Sequence, residues 1–380
     1  MFKAFNNAFF NELQEIKSSW YKLSLITLFP LLSFALIIAI FYKGVASELP
    51  IVVVDYDKSD LSQKLLFNID ASSTLSIKYR VTDIREAVEL IKASKAYALV
   101  EIPYHFKRDI LSSTQPKVTL MLNTQYILIG KIIKAAMFET VAYSAGEVEY
   151  VKNLVKTQNS DESLSSVTPI ALQVTPFFNT YKNYSLFLVT ALIPAIWQIF
   201  IVIATIVSFG TLFKEKRDGE FFNGGFIATK ILAKLLPYTF AYMFLGVGYL
   251  FFIYGNEGWI FQGSLAVMLF GMFLTVVAYQ VLALLFFVTG FDYARSLSLG
   301  AVYTAPAFAF LGVTFPVSSM NTFAIFWRDM LPISHFMELQ ISQANYGADI
   351  FLEVDKLLAI SAFFLFFIPV LIRFHQRLRK

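Results

Sequence analysis

The chain has 380 residues, of which 57% are hydrophobic and 15% charged; 41 are Phe, none is Cys, and the formal net charge is +4. Soluble domains carry about 25% charged residues, so a wholly soluble protein is excluded and an integral membrane protein with one substantial soluble portion is expected. Without cysteine there is no disulfide, thiolate metal site or Cys nucleophile, and the small basic excess speaks to membrane topology more than to nucleic acid.

Residues 1–22 come first. Phe2, Phe5, Phe9, Leu13, Ile16 and Trp20 recur at helical spacing, opposite Lys3, Asn6, Asn7, Glu12 and Lys17. That pattern predicts an amphipathic helix lying in the plane of a membrane interface, with Phe5, Phe9, Leu13, Ile16 and Trp20 as its apolar anchors. A helix packed on another protein surface would show the same pattern. Acidic residues and lysines precede any long apolar run, which is not the layout of a cleaved secretory signal, so the first apolar segment is expected to stay as an anchor. That segment is the uncharged run 23–42, bracketed by Lys22 and Lys43, about the length that crosses the hydrocarbon. Pro30 is a candidate kink.

Residues 43–182 read as a soluble domain. Strands are predicted at Ile51–Val54, Ser76–Val81, Ala96–Ile102 and Lys117–Asn123, with short helices at Leu61–Ile69, 83–93 and Tyr104–Ser112 between them. Asp83 and Glu86 carry the spacing of a capping box. The alternation predicts a small α/β domain with a parallel or mixed sheet. A long helix is expected over Tyr126–Lys156, then a polar break at Thr157–Ser166, with Pro169 and Pro176 leading back to the membrane.

The rest, 183–380, is almost all apolar: uncharged runs cover Asn183–Phe213, Leu235–Asn256, Gly258–Phe291, Ser296–Trp327 and Leu357–Ile372. Five more spans are expected, six in total, the last a short one eased by snorkelling of Lys356 and Arg373. In the outer loop 316–356, Ser319–Met330 and Ile333–Asn345 read as two short amphipathic helices at, or dipping into, the outer leaflet. The connection 211–234 contains Lys214-Glu215-Lys216-Arg217-Asp218-Gly219-Glu220, a charged plug between two membrane-length runs. By charge alone it fits a solvated loop that only sets topology. Lys3, Lys17, Lys22, Lys214, Lys216, Arg217, Lys230, Lys234, Arg295, Arg373, Arg377, Arg379 and Lys380 fall on one face, against Arg328 and Lys356 on the other. The basic face is therefore expected to be cytoplasmic, with both termini, and the α/β domain extracytoplasmic.

Catalytic readings fail. Gly130-Lys131 is followed by Ile132 and has Gln125 where a P-loop needs its first Gly, so no Walker motif is present. His105, His335 and His375 lie in separate segments without metal-ligand spacing. Asp55 and Asp57, at a strand end, suit turn backbone better than a cation. The apolar runs contain no charged residue, which counts against a proton- or sodium-coupled secondary transporter. A membrane-anchored sensor or assembly factor, whose α/β domain binds a ligand or protein, is the other alternative.

The order of an interfacial helix, one span, an α/β domain and five spans resembles the ABC-2-type exporter permeases with a large domain between the first two spans. Glu215-Lys216-Arg217-Asp218-Gly219-Glu220 is similar to the family's cytoplasmic Glu-Arg/Lys-Glu-x-Gly-Thr-x-Glu stretch. Lys230–Pro237 is similar to its lysine-containing entry to the third span. Phe315–Glu338 is similar to the loop before its last span, with Phe315-Pro316-Val317, Leu331-Pro332-Ile333-Ser334 and His335-Phe336-Met337-Glu338. Glu220 departs from the usual Thr, and Phe221–Phe226 lacks the usual Leu-rich continuation.

The resemblance implies a permease without its own cofactor, since ATP and Mg would be bound by a separate ATPase subunit. A second permease chain, identical or related, would complete the pathway. The family's architecture implies a bacterial inner membrane, membrane lipids as surroundings, and in some systems a periplasmic membrane-fusion adaptor with an outer-membrane channel. Glu215, Lys216, Arg217, Asp218, Gly219 and Glu220 are then the ATPase-coupling loop, taking up the ATPase's motion with helix 2–20. Phe315, Pro316, Trp327, Pro332, His335, Phe336 and Glu338 would shape an exit for a drug-like, lipid or glycolipid passenger.

Overall fold

The computed structural model describes residues 1–42, 44–112, 114–157, 183, 185–256 and 260–378. The polar break at 158–166, Pro169, Pro176, Arg379 and Lys380 lie outside them. The chain divides into two compact units: Val45–Thr175, and Met1–Gly44 together with Pro176–Lys380.

Val45–Thr175 holds a four-stranded sheet of order β2-β1-β3-β4, with β1 at Leu49–Asp55, β2 at Leu75–Val81, β3 at Ala98–Ile102 and β4 at Thr119–Leu122. The first three strands are parallel, and β4 runs antiparallel to β3. A central parallel strand buried on both faces needs an unbroken apolar run, and Ile51-Val52-Val53-Val54 supplies it. Ile51 and Val53 pack with Leu65, Leu66 and Ile69, while Val52 and Val54 pack with Ala87 on the opposite layer. Asp55, at the end of β1, spends both carboxylate oxygens locally. Asp57 N and Lys58 N donate to Oδ1, and Ser62 Oγ and Gln63 Nε2 donate to Oδ2. It is a satisfied turn residue.

In the other unit, five helices are long and apolar enough to cross a membrane: Trp20–Ile40, Ser185–Lys214, Ile227–Gly255, Leu265–Val288 and Ile350–Leu378. With the family evidence given below, they make a multi-pass membrane protein. Span 1 is built from α1-flanked pieces, where α1 is Phe2–Ser18, α2 is Trp20–Ile26 and α3 is Leu28–Ile40. The break falls at Thr27, because Pro30 has no N–H to give and is tolerated only in the first turn of a new helix. Tyr242 Oη donates to the carbonyl of Leu25 beside the break, at 3.1 Å. Span 2 contains Pro194, which frees the carbonyl four residues earlier. That carbonyl, Thr190 O, accepts from Tyr249 Oη at 3.0 Å and Gln340 Nε2 at 2.9 Å, the substitution that hydrocarbon demands.

Three expectations need correction. The run Ser296–Trp327 is not one helix: it divides into Tyr293–Thr304 and Ala307–Phe310, then an irregular stretch through Gly312 at φ +81°. Pro306 ends the first piece, and Gln198 Nε2 donates to Thr304 O at the break. The second outer helix is no surface helix either. In Pro332–Gln340, Pro332, Ile333, Ser334, Phe336, Met337, Leu339 and Gln340 are all buried, and Phe336 packs on Trp197 with ring centroids 5.9 Å apart. The last span is also longer than expected, since short 3-10 turns link its pieces into Ile350–Leu378.

Candidate functional site

Helix α1 buries Ala8, Glu12 and Ile16, one residue per turn on a single face, and packs along Ile227–Phe251, the helical core of span 3. Phe5, Phe9 and Leu13 flank this stripe half-buried, with the rings of Phe5 and Phe9 stacked, whereas Phe2 and Trp20 are exposed. Glu12 therefore points into the protein, not to the polar side on which the sequence pattern put it. Ser19 then turns the chain, its Oγ accepting from Lys22 N to start α2, and this turn swings Lys22 back over α1.

Glu12 is fully occupied. Its Oε1 accepts from Ser208 Oγ at 2.9 Å, Tyr238 Oη at 2.6 Å and Lys22 Nζ at 3.2 Å, and its Oε2 pairs with Lys234 Nζ. Three spans thus converge on one carboxylate of α1. Lys234 Nζ also lies 5.8 and 5.3 Å from the ring centroids of Phe209 and Phe221, a setting in which a cation is further stabilised. Lys22 continues to Glu15 Oε2 at 2.6 Å, Glu15 Oε1 to Arg217 Nη1 at 2.6 Å, and Arg217 Nη2 to Glu215 Oε2 at 2.6 Å. The result is a ladder of alternating sign: Lys234, Glu12, Lys22, Glu15, Arg217, Glu215. Side-chain exposure rises along it, from 1% at Lys234 through 25% at Glu15 to 50% at Glu215. Three carboxylates meet three cations, so the desolvated charges balance, as burial requires.

Burial alone would push the Glu12 carboxyl up, but Lys234 and Lys22 beside it outweigh burial and hold it below its ordinary value. Burial likewise opposes ionisation of Glu15, yet hydrogen bonds from Arg217 and Lys22 bring it down from 4.5 to about 2. The hydrogen bond to Glu15 in turn raises Arg217. Glu12, Glu15 and Arg217 are therefore ionised at neutral pH.

The charged loop is held from a second side. Its short helix, Asp218–Phe222, is followed by Asn223, and Lys230 Nζ caps this end by donating to Phe221 O at 2.7 Å and Asn223 O at 2.5 Å. Lys214, Glu215, Lys216, Gly219 and Glu220 are exposed, and Asp218 is half-buried. Lys230 and Lys234 are thus not loop residues. The helix begins at Ile227, two turns before the uncharged run, and carries both lysines inward. This removes the premise that the spans are free of ionisable groups. At the other cluster of expected site residues, Phe315 and Pro316 are exposed and Trp327 stacks on Phe323. Arg328 Nη2 pairs with Glu338 Oε1, and the His335 ring contacts Asp329 O at 3.1 Å. Pro332 and Phe336, on the same helix as His335 and Glu338, are buried.

A family model described as ABC-2 family transporter protein matches residues 21–371. The chain belongs to the ABC-2 transporter family. Membership in this family makes it a transporter permease and not a catalytic enzyme. No curated protein and no solved structure matches the chain. The ABC-2 match begins at Tyr21, so Glu12 and Glu15 stand outside it, while Lys22, Ser208, Glu215, Arg217, Lys234 and Tyr238 stand inside.

Sequence reasoning placed the loop and α1 separately at the same membrane face and missed Glu12, Lys22, Ser208, Lys234 and Tyr238. One signal was present: Glu12 lies one turn from both Ala8 and Ile16, on a stripe adjoining the aromatic one.

Proposed function

We propose that this chain is the permease subunit of an ATP-binding-cassette exporter, moving an amphipathic drug-like molecule, lipid or glycolipid across a bacterial inner membrane. A separate ATPase subunit, binding ATP and Mg, supplies the energy through the loop Lys214–Glu220, and a second permease chain completes the pathway. The observation that carries this reading is the match to the ABC-2 transporter family over residues 21–371, joined to a charged loop tied by Arg217 to α1 and by Lys230 to span 3.

In this reading the broken segment Tyr293–Phe310 is the remaining crossing. Its 18 residues span roughly 27 Å as helix, near the ~30 Å of hydrocarbon. Six crossings bring both termini to the cytoplasm and put Val45–Thr175 outside, where it would guide the passenger, in some settings toward a periplasmic adaptor and outer-membrane channel. The apolar void lined by Phe34, Trp197, Tyr249, Met272 and Phe336 measures about 10 Å³, room for one water at most. That favours a passenger route between chains over one through this void.

The test is purification from native membranes at low detergent. An ATP-binding-cassette subunit should co-elute in equal amount, with ATP hydrolysis sensitive to vanadate. Elution of the permease without any ATPase, together with transport that stops when the proton gradient is dissipated at constant ATP, would overturn the reading.

A further inference from the structure

Arg217 sits in the stretch expected to meet the ATPase, yet its guanidinium turns back into its own chain. Nη1 is on Glu15 and both Nε and Nη2 are on Glu215. The neighbouring Lys214, Lys216 and Glu220 are exposed and, among the described residues, form no ion pair. The loop thus presents one set of charges outward and spends another inward. The inward set is continuous with Glu12, on which spans 1, 2 and 3 converge.

We infer that Arg217 is a clasp joining the loop Lys214–Glu220 to helix α1 as one lever, and that Glu12 is the joint where this lever acts on span 3 through Lys234. Arg217 is a positioning residue: it touches neither ATP nor passenger. The inference rests on the permease reading above. Its physical content is that a push on the loop moves α1 with it, since the charge-assisted, part-desolvated contact of Arg217 Nη1 with Glu15 Oε1, at 2.6 Å, resists separation. The motion then enters the membrane helices at a carboxylate whose every partner lies on a span, the kind of contiguous network through which displacement is carried. Without the clasp the loop would still reach span 3 through Lys230, but α1 and the joint at Glu12 would not move with it. Glu15 lies before the residues matched by the family model, and Arg217 within them.

Because the chain contains no cysteine, the clasp can be rebuilt covalently. The full chain, purified with its ATPase subunit, is compared with Glu15→Cys, Arg217→Cys and the double variant, before and after reaction with a short bis-maleimide. Each single variant should lower ATP turnover about tenfold, and cross-linking the double variant should restore it to within about threefold, the scale of ordinary coupling between sites. The change should fall on the turnover number, with the KM for ATP unmoved, because the nucleotide site belongs to the other subunit. Full activity in the single variants overturns the clasp. So does a cross-link that leaves the loss in place, which would mean that Arg217 serves a different partner. Should the double variant not assemble, Glu15→Gln keeps a carbonyl acceptor and should give an intermediate loss; full activity there overturns the clasp as well. If the unsubstituted chain brings no ATPase, the permease reading fails instead.

Discussion

Glu12 is the residue on which the buried charges depend. Replacing it with Gln leaves Lys22 and Lys234 facing each other in a desolvated site, and removing one partner of such a group costs about 3–5 kcal/mol. Glu12→Gln should therefore lower the thermal stability of the purified chain sharply. The triple variant Glu12→Leu, Lys22→Met, Lys234→Met should recover much of it, since apolar replacement of a whole buried ionic group is often neutral. A single variant as stable as the parent would show that the carboxylate is not holding those lysines. Glu15 adds a pH dependence of known sign. Its folded value, about 2, lies below the ordinary 4.5, so its pairing contributes fully above pH 4.5 and fades as pH falls toward 2. Neutral and mildly acidic conditions leave the clasp intact. None of this was legible from periodicity, which assigned Glu12 to the polar face because the aromatic stripe dominated the pattern. What turns α1 is a third partner, span 3, whose Lys234 and Tyr238 lie more than two hundred residues away.

At the scale of elements, close approach of helices sets the fold. Gly210 in span 2 lets Tyr293 lie against the backbone: a Cβ there would stand 2.1 Å from Tyr293 Cδ2 and 3.1 Å from its Cγ. Tyr293 Oη is in turn 3.3 Å from Tyr21 Oη, so a single glycine seats the start of Tyr293–Thr304 against spans 1 and 2. Gly210→Leu should cost about 1–3 kcal/mol, the usual penalty of overpacking, seen as a lower unfolding temperature. Adding Tyr293→Ala should return part of it, whereas equal loss in both backgrounds would place the strain elsewhere. The four strands and the short helices between them in Val45–Thr175 were readable because each is a brief run bounded by turn residues. In the membrane unit, uniform apolarity marks a span but not its interruptions. Pro30 shifts a break three residues upstream, and Pro306 divides a run that reads as one crossing. The helix Pro332–Gln340 looks amphipathic by spacing, yet Ser334 and Gln340 are as buried as Leu339, since polar side chains there face other helices.

For the whole molecule, the proposed six-crossing topology can be read out with the same cysteine-free background. A Cys placed at Asp60, in Val45–Thr175, should react with a membrane-impermeant maleimide in intact spheroplasts. A Cys placed at Lys216 should react only after permeabilisation. Labelling of Lys216→Cys from outside, or protection of Asp60→Cys, would invert the topology and detach the loop from any cytoplasmic ATPase. The family and the membrane class were legible in the sequence at this scale, because element order and charge asymmetry survive where individual motifs have drifted, as at Glu220. The joint between α1 and span 3 was not, because it depends on which charged groups meet after folding.

That joint also fixes an order of events during synthesis. Glu12 and Lys234 are separated by 222 residues, and a ribosome adding about 5–20 residues per second needs roughly 11–45 s to pass from one to the other. While the whole of Val45–Thr175 is made, and until Ser208 follows 196 residues after Glu12, the carboxylate lacks three of its four span partners. The newborn α1 must keep its carboxylate in water at the bilayer surface and dock only when the third span arrives. An undocked α1 therefore marks a chain whose third span is not yet in place.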